Sequence, residues 1–372
     1  MAKNILITGG AGFIGAHVAN ELLAHGYAVR ALDSLEPQVH GVERRRPSYL
    51  SPDVDLIVGD IRDSDVLIGA LEGIDAVIHL VSLVGVGQSM YQIDRYTSVN
   101  NLGTAVLWQT LSTHRVESVV VASSMSVYGE GLYRNSRGEV AAARDRSIEQ
   151  LKAGDWEIRD EFGEPLMPVP TTEDKVPAIA SIYALSKYDQ ERMSLIAGRA
   201  YDTRVVALRF FNTYGPYQAL SNPYTGVLSN FAARVLNGNP PLIYEDGEQQ
   251  RDFISVYDVA SACKLALECP SARGLAINIS SGQAMTVKEI AERTVHAIGR
   301  PGLEPELTGA YRYGDIRHCF ADISLARKTL GWEPRVSLEA GLEDLASWLE
   351  NQSAADRGME SRAELSARGL ML

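Results

Sequence analysis

Cysteine is scarce: Cys263, Cys269 and Cys319 are the only three in 372 residues, an odd number without a CxxC spacing. A disulfide framework and a zinc-site pattern are thereby excluded, and the three read as buried apolar thiols. No apolar run approaches the ~20 residues that a membrane helix needs. The opening "MAKNILITGG" enters a strand pattern without the apolar core of a signal peptide, so a soluble cytoplasmic protein is expected. Positive charge is in deficit. A formal net charge of −12 disfavours nucleic acid or an anionic membrane as partner, and an anionic ligand would need local arginines to overcome that field. Internal repeats and low-complexity tracts are absent as well.

What is present is a rhythm. Apolar runs "NILITGG", "AVRALD", "DLIVGD", "DAVIHLV", "SVVVAS" and "RVVALRF" alternate with helix-length segments such as "FIGAHVANELLAHGY" and "NLGTAVLWQTLSTH". Parallel strands need crossover helices, so the expected fold is α/β, a doubly wound parallel sheet, followed by a smaller α+β substrate-binding domain. The sheet domain is placed mainly over residues 1–216 and the second domain over 217–350, with some interleaving of segments. Residues 351–372, polar at first, read as a frayed tail. Residues 134–175 are charged and too long for an ordinary loop, which marks an insertion. Because it leaves the sheet after the "SVVVAS" strand and returns before "SIYALSK", it is expected to form a lid or rim over the site.

"TGGAGFIG" carries the chemistry at the first turn. Gly9 precedes Gly10-x-Gly12-x-x-Gly15, with a strand before and a helix after, the context of a Rossmann dinucleotide fingerprint. Such glycines admit a tight turn and let backbone N–H groups and the helix N-terminus approach a pyrophosphate. Asp33 ends the second apolar run, where an acid accepts hydrogen bonds from the adenosine ribose and repels a 2′-phosphate, so NAD is favoured over NADP. Asp60 and Ile61 in "GDIRD" fall where an adenine edge would lie. Asp33 and Asp60 are also compatible with simple loop capping.

"SIYALSK" sets Tyr183 and Lys187 four residues apart, on one face of a helix. Alone, that is equally an exposed surface pair. With Ser124 at the carboxyl edge of the sheet, the three converge beside a nicotinamide. A nearby ammonium lowers a phenol's pKa from ~10 and makes Tyr183 a general base for a hydroxyl proton.

From Lys3 to about Pro334 the chain resembles the extended short-chain dehydrogenases/reductases that act on nucleotide sugars. The likeness rests on TGGAGFIG, Asp33, GDIRD, "HLVSLVGVGQS", "SVNNLGT", "SSMSVYG", YALSK, "RFFNTYGP", "RDFISVYDVA" and "LGWEP". It implies Tyr183 as acid/base, Lys187 as ribose ligand and tuner of the tyrosine, and Ser124 as the group that orients the sugar hydroxyl. It adds Phe13, Ile14, Leu80 and Asn100 to the cofactor site, Asn100 chiefly by ordering the backbone. Asn212, Arg251 and Arg317 are implied to hold the nucleotide diphosphate, a task suited to guanidinium groups. A homodimer follows from the resemblance alone, and no metal is expected.

Dehydratases and decarboxylases of this family carry acids between the Ser/Thr and "VYG", where this chain has Met125 and Ser126. A simple 4-epimerase acting through a 4-keto sugar is therefore the expected activity. A decarboxylase or a dehydrogenase/reductase is the alternative among enzymes, and a non-catalytic dinucleotide sensor the alternative outside them. "EPQVHG", "YQALSNPYTGV" and the long insertion are similar to stretches of bacterial dTDP-L-rhamnose 4-epimerase-like proteins. A dTDP-6-deoxyhexose thus becomes the expected substrate, with a UDP-sugar also open. The insertion lacks the cysteines some relatives carry there, which argues against a metal in it.

Overall fold

The computed structural model describes residues 3–312 and 314–371. Seven apolar runs form one parallel sheet: β1 (Asn4–Thr8), β2 (Ala28–Asp33), β3 (Asp55–Val58), β4 (Ala76–His79), β5 (Ser118–Ser124), β6 (Arg204–Phe210) and β7 (Ala276–Ile279). Their spatial order is β7-β6-β5-β4-β1-β2-β3, and the strand order reverses beside β1. Ligands in such sheets bind at the carboxyl ends of the strands, beside that reversal. The central strands are covered on both faces, which is why they read as unbroken apolar runs rather than alternating ones. Helices α1 (Phe13–Ala24) and α3 (Val256–Glu268) cover one face over a core that includes Ile7, Val18, Val120, Leu208 and Val259. Helix α2 (Ile182–Ala200) and helices Ser64–Leu71 and Gly103–Leu111 lie on the other, over Leu6, Leu67, Leu107 and Val119.

β7 and α3 follow residue 217 in the chain yet belong to the sheet layer, so the two halves are interleaved. The smaller half has its own core, in which Phe231, Ile290 and Leu345 come from helices Val227–Leu236, Val287–Ala297 and Leu338–Leu349.

The insertion has a fold of its own: strands Leu132–Arg134, Val140–Ala141 and Met167–Val169 make a small antiparallel sheet over Tyr133, Ile158 and Leu166. It packs on residues 315–318, where Arg146 donates to the Asp315 carbonyl at 3.1 Å. The stretch read as a frayed tail is ordered through residue 371. Helix α4 (Gly358–Ala367) docks with Leu365 3% exposed, because Leu365 and Leu370 lie against Val86, Gly87 and Met90 and the Met371 backbone bridges to Arg312. No helix among the described residues is long and apolar enough to cross a membrane.

Candidate active site

The glycine-rich turn joins β1 to α1. Gly9 has φ +74°, and a Cβ there would meet the Val81 nitrogen at 3.0 Å; at Gly15 a Cβ would fall 2.3 Å from the Gly9 carbonyl. Only glycine permits this close approach. Helix α1 starts at Gly12 without a side-chain cap, whereas α2 and α3 are capped by Ser181 and Ser255. The first N–H groups of α1 therefore have no side-chain acceptor. Phe13 and Ile14 form its first turn, and Leu80, which donates its N–H to the Thr8 carbonyl, runs beside Gly9.

Asp33 accepts from the N–H groups of Ala11 (3.0 Å) and Leu35 (2.9 Å), so its carboxylate is fixed at the rim of the same turn. Asp60 is held by Arg62, whose guanidinium keeps the carboxyl below its usual range, and Ile61 packs buried under Gly103. A glycine cradle, an uncapped helix start and a fixed acid at the end of β2 fit NAD.

The side chains of Ser124 and Tyr183 meet at the carboxyl end of β5. Ser124 is its last residue, and its Oγ accepts from the N–H (3.2 Å) and hydroxyl (3.0 Å) of Ser126. The Tyr183 N–H donates to Ser89 Oγ at 3.0 Å, which ties the start of α2 to helix Val86–Ser89. Loss of solvation raises the phenol of Tyr183 above its ordinary value, and the Ser124 hydroxyl beside it opposes that rise. Asn100, fully buried, brackets the neighbouring loop. It accepts from the Leu83 N–H (2.8 Å) and donates to the Leu83 carbonyl (3.1 Å) and Ser186 Oγ (2.9 Å).

Lys187 is 3% exposed, and burial pulls its ammonium down to about 7, with Glu191 opposing. Its Nζ donates to Gln190 Oε1 at 2.8 Å. Gln190 Nε2 in turn donates to the Val81 carbonyl (3.1 Å) and Thr104 Oγ1 (2.9 Å), which fixes the orientation of the amide and leaves its oxygen facing the lysine. Thr104 donates to the Asn100 carbonyl, so His79 Nε2, 2.9 Å from Thr104 Oγ1, carries the ring proton. Nδ1 of His79 then accepts from Thr8 at 2.7 Å, and burial holds the ring neutral at about 3. Beneath β5, Glu191 pairs with Arg209 (2.7 Å) and accepts from Ser123 (2.7 Å), bracing the strand that ends in Ser124. Sequence reasoning did not single out Gln190, although its position one helical turn beyond Lys187 is a signal that finds it.

The residues assigned to the diphosphate are not all brought together. Asn212 donates its amide to the Asp252 carbonyl at 2.9 Å, and Arg251 donates to the carbonyls of Gln250, Ile316 and Arg317. Arg317 is a correction. Its guanidinium is fully buried and surrounded by Glu157, Glu245 and Asp246, at 2.5, 3.0 and 2.6 Å. Three carboxylates leave it no face for a phosphate; its visible work is to anchor the insertion, through Glu157, to the smaller half. Arg312, five residues earlier, lies beside Val86 and is paired with Asp315 at 2.9 Å.

A nucleotide-binding turn, a Ser-Tyr-Lys trio and a seven-stranded parallel sheet define an NAD-using enzyme of the short-chain dehydrogenase/reductase type. The sequence model of the NAD-dependent epimerase/dehydratase family matches residues 5–147 and 160–280, and the chain belongs to that family. A dTDP-L-rhamnose 4-epimerase of Burkholderia thailandensis is 35% identical over 94% of this chain and 96% of its own length. The UDP-glucose 4-epimerase of Thermotoga maritima, solved with UDP-glucose, superposes with a TM-score of 0.75 at 28% identity, covering 93% of this chain and 98% of that one. That of Thermus thermophilus, solved with NAD, gives 0.74 at 27% identity, covering 94% and 99%.

Proposed function

We propose that this protein is a nucleotide-sugar 4-epimerase whose substrate is a dTDP-linked 6-deoxyhexose. The observation that carries the reaction type is the composition of the turn after Ser124: Met125 and Ser126 stand beside the reactive trio, and neither is a carboxylate. Glu191, the acid below, is spoken for by Arg209. Elimination of water or carbon dioxide from a keto sugar needs a group to move a proton at carbon or at the leaving hydroxyl, and this turn supplies none. Similarity to the Burkholderia enzyme over nearly the whole chain supports the sugar.

In this reading Ser124 hydrogen-bonds the hydroxyl at C4 and Tyr183 takes its proton. Lys187 holds the phenolate by its charge, and Gln190 holds Lys187. Bound NAD supplies the hydride acceptor and donor. The sugar rotates between the two half-reactions, and Tyr183 returns the proton at the end. Burial leaves the charge of Lys187, in its protonated form, less screened than a surface ammonium would be. A homodimer, as the resemblance implies, is part of the same reading and is tested by sedimentation.

The test is incubation of the purified protein with a panel of dTDP- and UDP-sugars without added nicotinamide, with products resolved by NMR. Inversion at C4 of a dTDP-6-deoxyhexose is expected; elimination products, or net oxidation that scales with added NAD, would overturn the reading.

A further inference from the structure

The turn that follows β5 is held from several directions. The Tyr128 hydroxyl donates to Asn278 Oδ1 in β7 at 2.7 Å, Lys175 Nζ donates to the Tyr128 carbonyl at 2.8 Å, and the Ala178 N–H donates to the Val127 carbonyl at 3.1 Å. Gly129 closes the turn at φ +60°, where a Cβ would run into the Ala178 carbonyl. Ser126 lies buried inside this turn. Its hydroxyl donates to Ser124 Oγ at 3.0 Å and has no other hydrogen-bond partner among the described residues. The Ser126 N–H donates to the same oxygen at 3.2 Å.

A serine hydroxyl has two lone pairs and one proton. Ser126 engages both lone pairs of Ser124, one through its backbone and one through its side chain, so Ser124 enters any further hydrogen bond as the donor. The Tyr183 phenol lies beside it, and the Ser124 hydroxyl opposes the rise that burial imposes on that phenol, as a donor to a phenolate does. The direction matters to the reaction. A Ser124 that accepted from the C4 hydroxyl would compete with Tyr183 for the proton. A Ser124 that donates to O4 leaves that proton to the phenolate, and stays hydrogen-bonded once O4 is a ketone oxygen. Accepting from Ser126 also polarises the Ser124 O–H bond and strengthens what it donates.

We propose that Ser126 is a positioning residue for the epimerase reaction: it commits Ser124 to donating to O4 and so directs the C4 hydroxyl proton to Tyr183. The inference deepens the 4-epimerase reading and rests on it. The chain of donors runs one way, from Ser126 O–H to Ser124 Oγ, from Ser124 O–H to O4, and from O4–H to the Tyr183 phenolate. One proton moves along it, from O4 to the phenolate, as the C4 hydrogen leaves with its electron pair to bound NAD; the return step gives both back to the sugar. An ionised carboxylate at position 126 would offer Ser124 no proton, so the direction depends on the hydroxyl.

The test is a double-mutant cycle on turnover of the NAD-loaded full chain, with dTDP-L-rhamnose and UDP-glucose as probes. Ser126→Ala should lower kcat by about threefold to tenfold, in the range of one neutral hydrogen bond, and leave KM within about twofold. The acid limb of its pH–rate profile should move to higher pH, because a weaker donor leaves Tyr183 harder to ionise. Ser126→Thr keeps a hydroxyl on the same carbon and should restore both. In a Ser124→Ala background, followed to completion by NMR, Ser126→Ala should lower turnover no further. An equal loss in both backgrounds, or a pH profile unmoved in Ser126→Ala, would overturn the role of Ser126 while leaving the epimerase reading intact. Failure of Ser126→Thr to restore turnover at an unchanged melting temperature would overturn it as well; where the added methyl lowers that temperature, the Ser124→Ala cycle decides. No inversion of either probe by the wild type would instead sink the epimerase reading and the role of Ser126 with it.

Discussion

Lys187 and Arg317 are both almost wholly enclosed, at 3% and 0% exposure, yet their surroundings differ in kind. Lys187 has one neutral acceptor, the amide oxygen of Gln190, with Glu191 committed to Arg209. Arg317 has Glu157, Glu245 and Asp246. Burial with a neutral partner brings the lysine down to about 7, while the arginine, despite its burial, is lifted above its ordinary range by Asp246 and Glu157. An under-neutralised cation remains available to a phenolate and a ribose. A fully neutralised one is inert chemically and holds three chain segments together. Depth of burial therefore does not separate function from structure here; the charge of the partners does.

Removing the two cations should have opposite consequences. Lys187→Met should lower turnover by about 10²–10⁴-fold, in the range of a lost acid–base contribution. The same substitution should stabilise the NAD-free protein by about 3–5 kcal/mol near neutral pH, because it relieves a buried ammonium. The sign follows from the protons: between about 7 and 10.5 the unfolded chain holds more of them than the folded one, so wild-type stability rises with pH across that window and the variant's does not. Thermal melts of the NAD-free forms at pH 7 and pH 9 check both statements.

Arg317→Met should do the reverse, lowering stability by about 3 kcal/mol, because Glu245 loses a buried partner. It should leave the KM for nucleotide sugar within about tenfold of wild type. A large rise in KM with stability unchanged would restore the diphosphate role that family resemblance implies for this residue.

Gln190→Leu probes the lysine's side of the contrast by taking the last acceptor from Lys187. Turnover at neutral pH should fall about tenfold, the worth of one hydrogen bond to a charged group. The acid limb of the pH–rate profile should move to higher pH, since a less charged lysine leaves Tyr183 harder to ionise. Gln190→Glu should move that limb the other way. A profile unmoved in both variants would make Gln190 a packing residue only.

The smallest effect belongs to Glu157. Hydrogen bonds from His318 and Arg317 hold its carboxyl down at about 2, so it contributes stability that is complete above about 4.5 and is lost as pH falls towards 2. Glu157→Gln should flatten the acid limb of the stability curve. The gain is modest because the side chain is more than a third exposed.

The glycine turn, Asp33, Ser124, Tyr183 and Lys187 were legible because each sits in a local pattern, strand–turn–helix or i,i+4, that constrains spacing along the chain. Arg317 was not, since the acids that neutralise it come from positions 157, 245 and 246, and no local pattern announces them. The docking of α4 escaped notice for a related reason. The helix is polar apart from a few well-separated apolar residues, and the complementary surface, Gly87, Tyr91, Tyr224 and Arg312, is assembled from three distant stretches. The insertion was found by its length, whereas its small sheet and its grip on residues 315–318 depend on pairings that composition does not reveal.

In the proposed mechanism hydride leaves C4 and returns to C4 within one site, with Tyr183 moving the hydroxyl proton. The decisive experiment is conversion of a dTDP-6-deoxyhexose deuterated at C4, in ordinary water and without added nicotinamide, followed by mass spectrometry and NMR of the product. A C4-inverted sugar that keeps its deuterium is expected, and no such product from Tyr183→Phe. Loss of the label to solvent, or inversion undiminished in Tyr183→Phe, would contradict the mechanism.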